Sequence, residues 1–265
     1  MTPLSREGIQ PHLETAWLGR DLHCFEVLDS TNLTAREMAV AGAPDGVVVI
    51  ADAQRRGRGR LGRAWVSPAR TNLYLSVVLR CDVPVDRLAQ ISLLAGVATC
   101  EAVRAWCSTA VIKWPNDVLI DGRKVAGILA ELEQGGGGRA VVLGIGVNLN
   151  SGAGDFPDEL RDKATSLHLV TGDRVDRAHF AGLLLTRLEA RYDEWRRDGF
   201  AAIAATWRAL APLIGRRIQV QEPGGVVEGD VVDLDDDGAL RLRRDDGSLY
   251  RVIAGDVTVI DGYGR

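Results

Sequence analysis

The sequence has no long apolar run and few cysteines, and each scarcity excludes a class of protein. No stretch stays apolar over the roughly 20 residues of a transmembrane helix, and the N-terminus lacks the basic and then apolar pattern of a signal peptide. The four cysteines (Cys24, Cys81, Cys100 and Cys107) form no Cys-x-x-Cys pair. Scattered thiols in a chain of this length predict a reducing, cytoplasmic location and argue against disulfides or a zinc site.

An excess of positive charge is also missing. The formal net charge is −4 in 265 residues, which argues against a protein that coats nucleic acid. The first twenty residues are too few for the three helices of a helix-turn-helix module. We therefore expect neither a nucleic-acid partner nor a membrane partner.

Lysine is the scarcest charged residue. Of the 32 basic residues only Lys113, Lys124 and Lys163 are lysines, and the other 29 are arginines. A lysine retained in such a chain can mark a site that needs a compact ammonium group instead of a planar guanidinium. Two of the three, Lys113 and Lys124, lie close together in sequence, so the segment between them is a candidate functional site.

The order of the predicted elements indicates an α+β protein of two domains. Strands and amphipathic helices alternate up to Pro212, including one long helix over 85–106 and a buried strand over 140–150. Short β-branched segments with Gly/Asp turns then follow, which predicts a small antiparallel barrel. We predict domains at 1–212 and 213–265, and we interpret the acidic turn at 235–237 as a solvated hairpin tip.

The segment from Gln54 to Trp65 (QRRGRGRLGRAW) contains five arginines, three glycines and no acid. It lies between two predicted strands, 47–51 and 73–79, and it suits neither a helix nor a strand. Glycines allow close approach of the backbone to a ligand, and arginines offer planar forks for phosphate or carboxylate. The pattern predicts an anion-binding loop; a solvated loop or a nucleic-acid arm is the alternative.

Three further segments carry polar or glycine-rich patterns. Asp29-Ser-Thr-Asn32 precedes a predicted helix, where one or two of these side chains can cap the helix and leave the others for a ligand. The segment 113–127 begins with KWPND and ends inside KVAGILAE, which spans 124–131, and 144–148 reads GIGVN. The two glycines of the last segment would let another group approach a strand closely.

Taken together, GRGRLGRAW, KWPND, KVAGILAE and GIGVN resemble the biotin protein ligases (biotin–[acetyl-CoA-carboxylase] ligases) in order and spacing, from about residue 25 to the end. The resemblance implies a catalytic domain like that of class II aminoacyl-tRNA synthetases and an SH3-like C-terminal barrel. It implies a monofunctional ligase without a DNA-binding domain, acting as a monomer or weak homodimer. Arg55 and Arg56 depart from the small residues that the family often has there.

The same resemblance implies the reaction and its participants. ATP and Mg²⁺ would activate biotin as biotinyl-5′-AMP, and a lysine of a biotin carboxyl carrier domain would then accept the biotinyl group. The expected catalytic residues are Lys124, Arg60, Arg58 and Asp117, the last of which orients Lys124 or holds Mg²⁺. The expected biotin-binding residues are Ser30, Thr31, Asn32, Gln54, Arg58, Gly59, Arg60, Lys124 and Gly127. The expected ATP- and adenylate-binding residues are Arg60, Arg63, Trp65, Lys124 and Asn148.

Two other functions fit parts of the pattern. A lipoate or octanoate ligase or transferase could use the same fold, but a dithiolane would not need the polar set Ser30, Thr31, Asn32 and Gln54. A biotin-binding transcription regulator would need a DNA-reading element, which residues 1–20 do not offer. A phosphate-loop nucleotidase is disfavoured because the Gly-x-x-x-x-Gly-Lys-Ser/Thr motif is absent from the sequence.

Overall fold

The structure, a computed structural model, describes residues 3–81, 83–222 and 224–260. Within those ranges no helix combines the length and apolar content that crossing a bilayer requires. The helices are α1 (Arg6–Ile9), α2 (Thr31–Val40), α3 (Leu88–Arg104), α4 (Leu167–Thr171), α5 (Arg177–Asp198) and α6 (Phe200–Leu210). The strands are β1 (Leu22–Leu28), β2 (Val48–Gln54), β3 (Leu73–Leu79), β4 (Val111–Lys113), β5 (Asp117–Ile120), β6 (Arg123–Gly135), β7 (Gly138–Val147), β8 (Arg217–Glu222), β9 (Gly225–Leu234), β10 (Leu240–Arg243), β11 (Leu249–Val252) and β12 (Asp256–Val259).

A seven-stranded mixed sheet forms the centre of the molecule, in the order β1-β2-β3-β7-β6-β5-β4. Only β1 and β2 run parallel to each other, and all other neighbours are antiparallel. Every residue of the central strand β3 is buried, as its continuous apolar sequence predicts for a strand covered on both faces. The predicted α+β class is confirmed.

The two faces of this sheet are covered by different elements. On one face the alanines of α2, Ala35 and Ala39, pack against Val49 and Val142. The opposite face carries the main core, in which buried side chains of β3, β6 and β7 belong to one cluster with those of α3 and α5. Because α2 covers only part of its face, the neighbouring ends of β6 and β7 are left for the functional site described below.

The C-terminal five-stranded sheet, in the order β11-β10-β9-β8-β12, packs against the first domain. Gln90 Nε2 donates to the carbonyl of Asp236 at 2.6 Å, and Trp114 Nε1 donates to the carbonyl of Gly238 at 3.1 Å. The prediction that 235–237 is only a solvated tip is therefore wrong. The carbonyl of Asp236 within this segment and that of Gly238 just after it lie against α3 and the end of β4, and a side-chain donor of the first domain satisfies each of them.

Three predicted elements differ in extent from the structure, and one of them is the strand predicted over 47–51, which is β2 and continues to Gln54. The helix predicted over 85–106 begins as a 3₁₀ turn, Val85–Arg87, is α-helical from Leu88 and ends at Arg104, and no side chain caps its first amides. The strand predicted over 140–150 ends at Val147. Beyond that point Asn72 Oδ1 accepts from the backbone N–H groups of residues 149–151, so a side chain replaces a neighbouring strand as hydrogen-bond partner.

A buried ion pair joins strand β2 to the long helix α5. Arg177 Nη1 lies 2.7 Å from Asp52 Oδ1, and each side chain is 4% exposed. Asp52 also accepts from the backbone N–H of Leu4, and Arg177 donates to the carbonyl of Asn72. Removing one partner would leave a charge buried without its counterion, which costs far more than loss of a surface pair.

We predict that Arg177→Met lowers the free energy of unfolding by about 3 to 5 kcal/mol, because Asp52 remains buried. The measurement is urea unfolding followed by circular dichroism. Arg161→Met is the matched control, since Arg161 pairs with Asp158 at the surface and both side chains are more than half exposed. The control should change the free energy of unfolding by less than about 1 kcal/mol. Equal, small changes in both variants would contradict the prediction.

Candidate active site

The N-terminus of α2 and the end of β2 meet through Gln54. Ser30 is the N-cap residue of α2, but its side chain makes no capping hydrogen bond. Instead Gln54 Oε1 accepts from the backbone N–H of Thr31 at 2.9 Å, and Gln54 Nε2 donates to Ser67 Oγ at 2.9 Å. The Ser30 side chain therefore does not have to cap the helix, as the run of four small polar residues predicted.

Glycines make the sheet surface beneath these residues flat. Gly127 of β6 and Gly146 of β7 are direct register partners, and the indole ring of Trp65 lies against both. A Cβ on Gly146 would come within 2.6 Å of that ring, and a Cβ on Gly144 would overlap Asn32 Oδ1. The GIGVN segment thus allows two side chains to lie directly on the strand backbone, which any larger residue would prevent.

Each cationic side chain of the predicted set has a partner on a different structural element. Arg58 Nη2 lies 2.9 Å from Glu131 Oε1 of β6, and Lys124 Nζ lies 2.6 Å from Asp117 Oδ1 of β5. Arg63 pairs with Asp256 of the C-terminal barrel. Loop 55–65 is thereby joined both to the central sheet and to the second domain.

Arg60 differs from the other three because its partner is neutral. Its Nη1 donates to Asn116 Oδ1 at 3.1 Å. Burial lowers the pKa of the Arg60 guanidinium, and the carboxylates of Asp256 and Asp117 act in the opposite direction. A desolvated cation with a neutral hydrogen-bond partner is well suited to bind an anionic ligand.

The predicted residues line two adjoining clefts. The smaller, of about 440 Å³, has polar walls from α2 and β2 and an apolar and glycine floor from β6 and β7; the larger, of about 1370 Å³, opens towards the barrel. Ser30, Thr31, Asn32, Gln54, Arg58 and Gly127 line the smaller cleft only. Arg63, Asp117 and Asn148 line the larger cleft only. Gly59, Arg60, Trp65 and Lys124 line both and form the boundary between the two spaces.

The boundary is held together by contacts of Lys124. Its Nζ lies 5.3 Å from the centroid of the Trp65 ring, within cation–π range, and it pairs with Asp117. Its backbone N–H donates to the carbonyl of Lys163, and its carbonyl accepts from Thr165 N–H. The ammonium group is therefore placed where both clefts can reach it.

Asn148 contributes to the larger cleft in a way the sequence did not specify. Its side chain is 5% exposed, and Nδ2 donates to the carbonyl of Thr165 at 3.1 Å. Its amide thus holds the segment after β7 in place, which leaves Oδ1 as the polar atom for a ligand. The Asn148 side chain therefore stabilises the wall of the larger cleft with one of its polar atoms and offers the other to a ligand.

Several residues near the clefts were not predicted as site residues. Asn116 lines both clefts and holds Arg60, and its position inside KWPND was the available signal. Glu131 binds Arg58 and Asn32 together. Asp256 reaches the larger cleft from the barrel, a contact between distant segments that no local sequence pattern could indicate. Within the described ranges there is no group of three or more His, Cys, Asp or Glu that could hold a metal ion.

Comparison with known families identifies both parts of the chain. Residues 24–148 match the biotin/lipoate A/B protein ligase family, and residues 213–259 match the biotin protein ligase C terminal domain. The biotin–[acetyl-CoA-carboxylase] ligase of Mycobacterium tuberculosis is 41% identical over 263 residues, covering 96% of this chain and 95% of that protein. The bifunctional ligase/repressor BirA of Bacillus subtilis is 38% identical over 256 residues, covering 96% of this chain and 78% of that protein.

The fold comparison agrees. The biotin protein ligase from Aquifex aeolicus, in a structure with biotin and ATP, superposes with a TM-score of 0.78 at 28% identity, covering 90% of this chain and 98% of that one. The expectation of a class II synthetase-like catalytic domain followed by a C-terminal β domain is therefore confirmed. Both the sequence and the fold place this chain in the biotin–protein ligase family.

Proposed function

We propose that this chain is an ATP-dependent biotin–protein ligase. In the first step an oxygen of the biotin carboxylate attacks the α-phosphorus of ATP, and pyrophosphate leaves. In the second step the uncharged Nζ of a carrier lysine attacks the acyl carbon of biotinyl-5′-AMP, AMP leaves, and the nitrogen loses a proton as the amide forms. The observation that carries the proposal is the pair of adjoining clefts, one polar and compact and one wide, with Arg60 and Lys124 at their boundary.

The smaller cleft is suited to the ring system of biotin. Its walls offer the side chains of Ser30, Thr31, Asn32 and Gln54, and its floor is formed by Gly127 and neighbouring apolar residues. A ureido ring presents two N–H donors and one carbonyl acceptor, so it can satisfy several of these groups. The dithiolane of lipoate has no such donor, and it would leave polar groups of the cleft without partners.

The larger cleft would then bind ATP, with its α-phosphate at the boundary. Arg58, Gly59, Arg60 and Lys124 would lie around the biotin carboxylate and the α-phosphate, where negative charge is transferred. Arg63 would bind the outer phosphates, and Trp65 and Asn148 would contact the adenine. Fixed cations that point at the place where charge develops are the main means by which proteins accelerate such reactions.

Magnesium is compatible with this arrangement. Proteins often hold Mg²⁺ by one or two carboxylates and by the phosphates of the nucleotide, so a cluster of three protein ligands is not required. Asp117 lines the larger cleft together with Asp162 and Asp256, and we assign this role to Asp117 because it also orients Lys124 at the boundary between the clefts. When bound, the ion would neutralise charge on the phosphates.

The remaining assignments follow from the same proposal. The acceptor would be a biotin carboxyl carrier domain, the class that the name of the Mycobacterium relative implies.

We assign the catalytic domain to 1–212 and the barrel to 213–265, supported by the separate sheets and the two family matches. Four free cysteines support the cytoplasm. Independence from nucleic acid and a monomeric or weakly dimeric state remain predictions.

The direct test is mass spectrometry of the purified chain incubated with ATP, Mg²⁺, biotin and a biotin carboxyl carrier domain. We expect biotinyl-5′-AMP without the carrier and a biotinylated carrier lysine with it. Parallel reactions with lipoate and octanoate examine the second candidate function. Transfer of lipoate without transfer of biotin would overturn the proposal.

We predict that loop 55–65 is protected from trypsin when biotin and ATP are both present. Its arginines are exposed or held by single partners, and an anionic ligand would bind several of them at once. The measurement is the rate of cleavage after Arg55 and Arg56 with and without ligands. Cleavage after Arg139, in the β6–β7 hairpin away from the clefts, serves as the internal control. Equal rates at the loop in both states would contradict the prediction.

We predict that Lys124→Arg slows adenylate formation by about 10²-fold while affinity for biotin changes little. The planar guanidinium must fit a fixed fork geometry, whereas an ammonium can donate to carboxylate and phosphate from one point. Single-turnover formation of biotinyl-5′-AMP and calorimetric titration with biotin measure the two effects separately.

Arg56→Lys is the control for this exchange of cations. Arg56 belongs to the same loop, but its side chain is 83% exposed and lies outside both clefts. The control should form the adenylate at the rate of the unaltered protein. A Lys124→Arg protein that is equally fast would remove Lys124 from the catalytic set.

A further inference from the structure

Asn116 ties one of the two cations at the boundary between the clefts to the central sheet. Its Nδ2 donates to the carbonyl of Ile128 at 2.7 Å, and its Oδ1 accepts from Arg60 Nη1 at 3.1 Å. A backbone hydrogen bond also joins the N–H of Ile128 to the carbonyl of Asn116 at 2.9 Å. The amide group of Asn116 therefore connects the backbone of β6 with a guanidinium of loop 55–65.

Both neighbours of this amide group require the same orientation. A carbonyl oxygen only accepts hydrogen bonds, so the NH₂ group of Asn116 must face Ile128. A guanidinium only donates, so Arg60 must face the oxygen. The position of the atom that holds Arg60 is thus set by the backbone of β6, before any ligand binds.

The next residue along the chain holds the other boundary cation with a charged group. Asp117 Oδ1 lies 2.6 Å from Lys124 Nζ, so two consecutive residues give one cation an amide and the other a carboxylate. Within the described residues no carboxylate lies at ion-pair distance from Arg60. Burial lowers the pKa of Arg60; Asp256 and Asp117 act in the opposite direction, but Asp256 already pairs with Arg63 and Asp117 with Lys124.

We propose that Asn116 is a positioning residue that holds Arg60 at the boundary without neutralising it, so that the guanidinium keeps its charge for the carboxylate of biotin. This inference rests on the proposed function, in which Arg60 lies beside that carboxylate. Each polar atom of the Asn116 side chain already has a partner, and its effect on the ligand is exercised through Arg60.

Aspartate at position 116 has nearly the same shape and would remove the neutrality. Arg60 would then form an ion pair like those of Arg58 and Arg63, and the ligand would compete with a carboxylate for it. The new charge would also repel the ligand carboxylate. Loss of the donor to Ile128 is a structural cost as well, but charged and uncharged ligands would share it.

The test is calorimetric titration of the full-length protein with biotin and with biotinol, which has an alcohol in place of the carboxylate. Asn116→Asp should weaken the binding of biotin about tenfold more than the binding of biotinol, because only biotin carries the charge that Arg60 attracts. An unchanged ratio of the two affinities would overturn the inference, since a purely structural defect weakens both ligands alike.

A double-mutant cycle examines whether Asn116 acts through Arg60. Asn116→Ala removes the acceptor without adding charge, and it should weaken biotin binding about threefold to tenfold. In an Arg60→Ala background the same substitution should change biotin affinity by less than about twofold, because no guanidinium remains to be positioned. An equal loss in both backgrounds would leave Asn116 with a structural role alone and overturn the inference. This cycle decides the matter if Asn116→Asp does not fold.

Gln134→Glu is the matched control for the added charge. Gln134 is an exposed residue of β6 that lines neither cleft. The control should leave the affinities for biotin and biotinol within about twofold of the unaltered protein, as expected for a substitution away from the site. A shift in their ratio equal to that of Asn116→Asp would reduce the effect to general electrostatics and overturn the inference. Failure of the unaltered protein to bind biotin or form biotinyl-5′-AMP would instead remove the proposed function.

Discussion

The site depends on the absence of side chains from one small area of the central sheet. Gly127 and Gly146 face each other across β6 and β7, and Gly144 lies two residues away on the same face. Because these positions carry no Cβ, Trp65 and Asn32 can rest on the backbone itself. The Arg/Gly loop and the start of α2 come from different parts of the chain, and this flat surface is where both can approach the same ligand.

The surrounding fold keeps that surface rigid on one side and open on the other. The main core, which β3 and β7 share with α3 and α5, holds these strands in place, and the buried Asp52–Arg177 pair ties β2 to α5. Above the glycines, by contrast, the partners of the cations are mostly part-exposed side chains. A rigid floor with exchangeable polar walls is what repeated binding and release of a charged intermediate requires.

The elements and the location of the site could be predicted from the sequence, because apolar periodicity and glycine placement are local signals. The limits of β3 and the presence of loop 55–65 between β2 and β3 were predicted in this way. The hydrogen bond of Gln54 at the start of α2 and the approach of Asp256 to Arg63 could not be predicted, since each depends on residues that are distant in sequence. The predicted solvated tip at 235–237 was wrong for the same reason: its acidic composition carried no information about the α3 surface on which it docks.

The cations around the clefts differ in how strongly the fold already neutralises them. Arg58 and Arg63 pair with part-exposed carboxylates, and such pairs contribute on the order of 1 kcal/mol or less, so a polyanion can replace them at little cost. Arg60 is partly desolvated, and its hydrogen-bond partner Asn116 is neutral. An anion that binds Arg60 would compete with a neutral amide, whereas at Arg58 and Arg63 it would compete with a carboxylate. Lys124, at the boundary between the two clefts, also pairs with a carboxylate, so Arg60 is the one of these four cations whose direct partner is neutral.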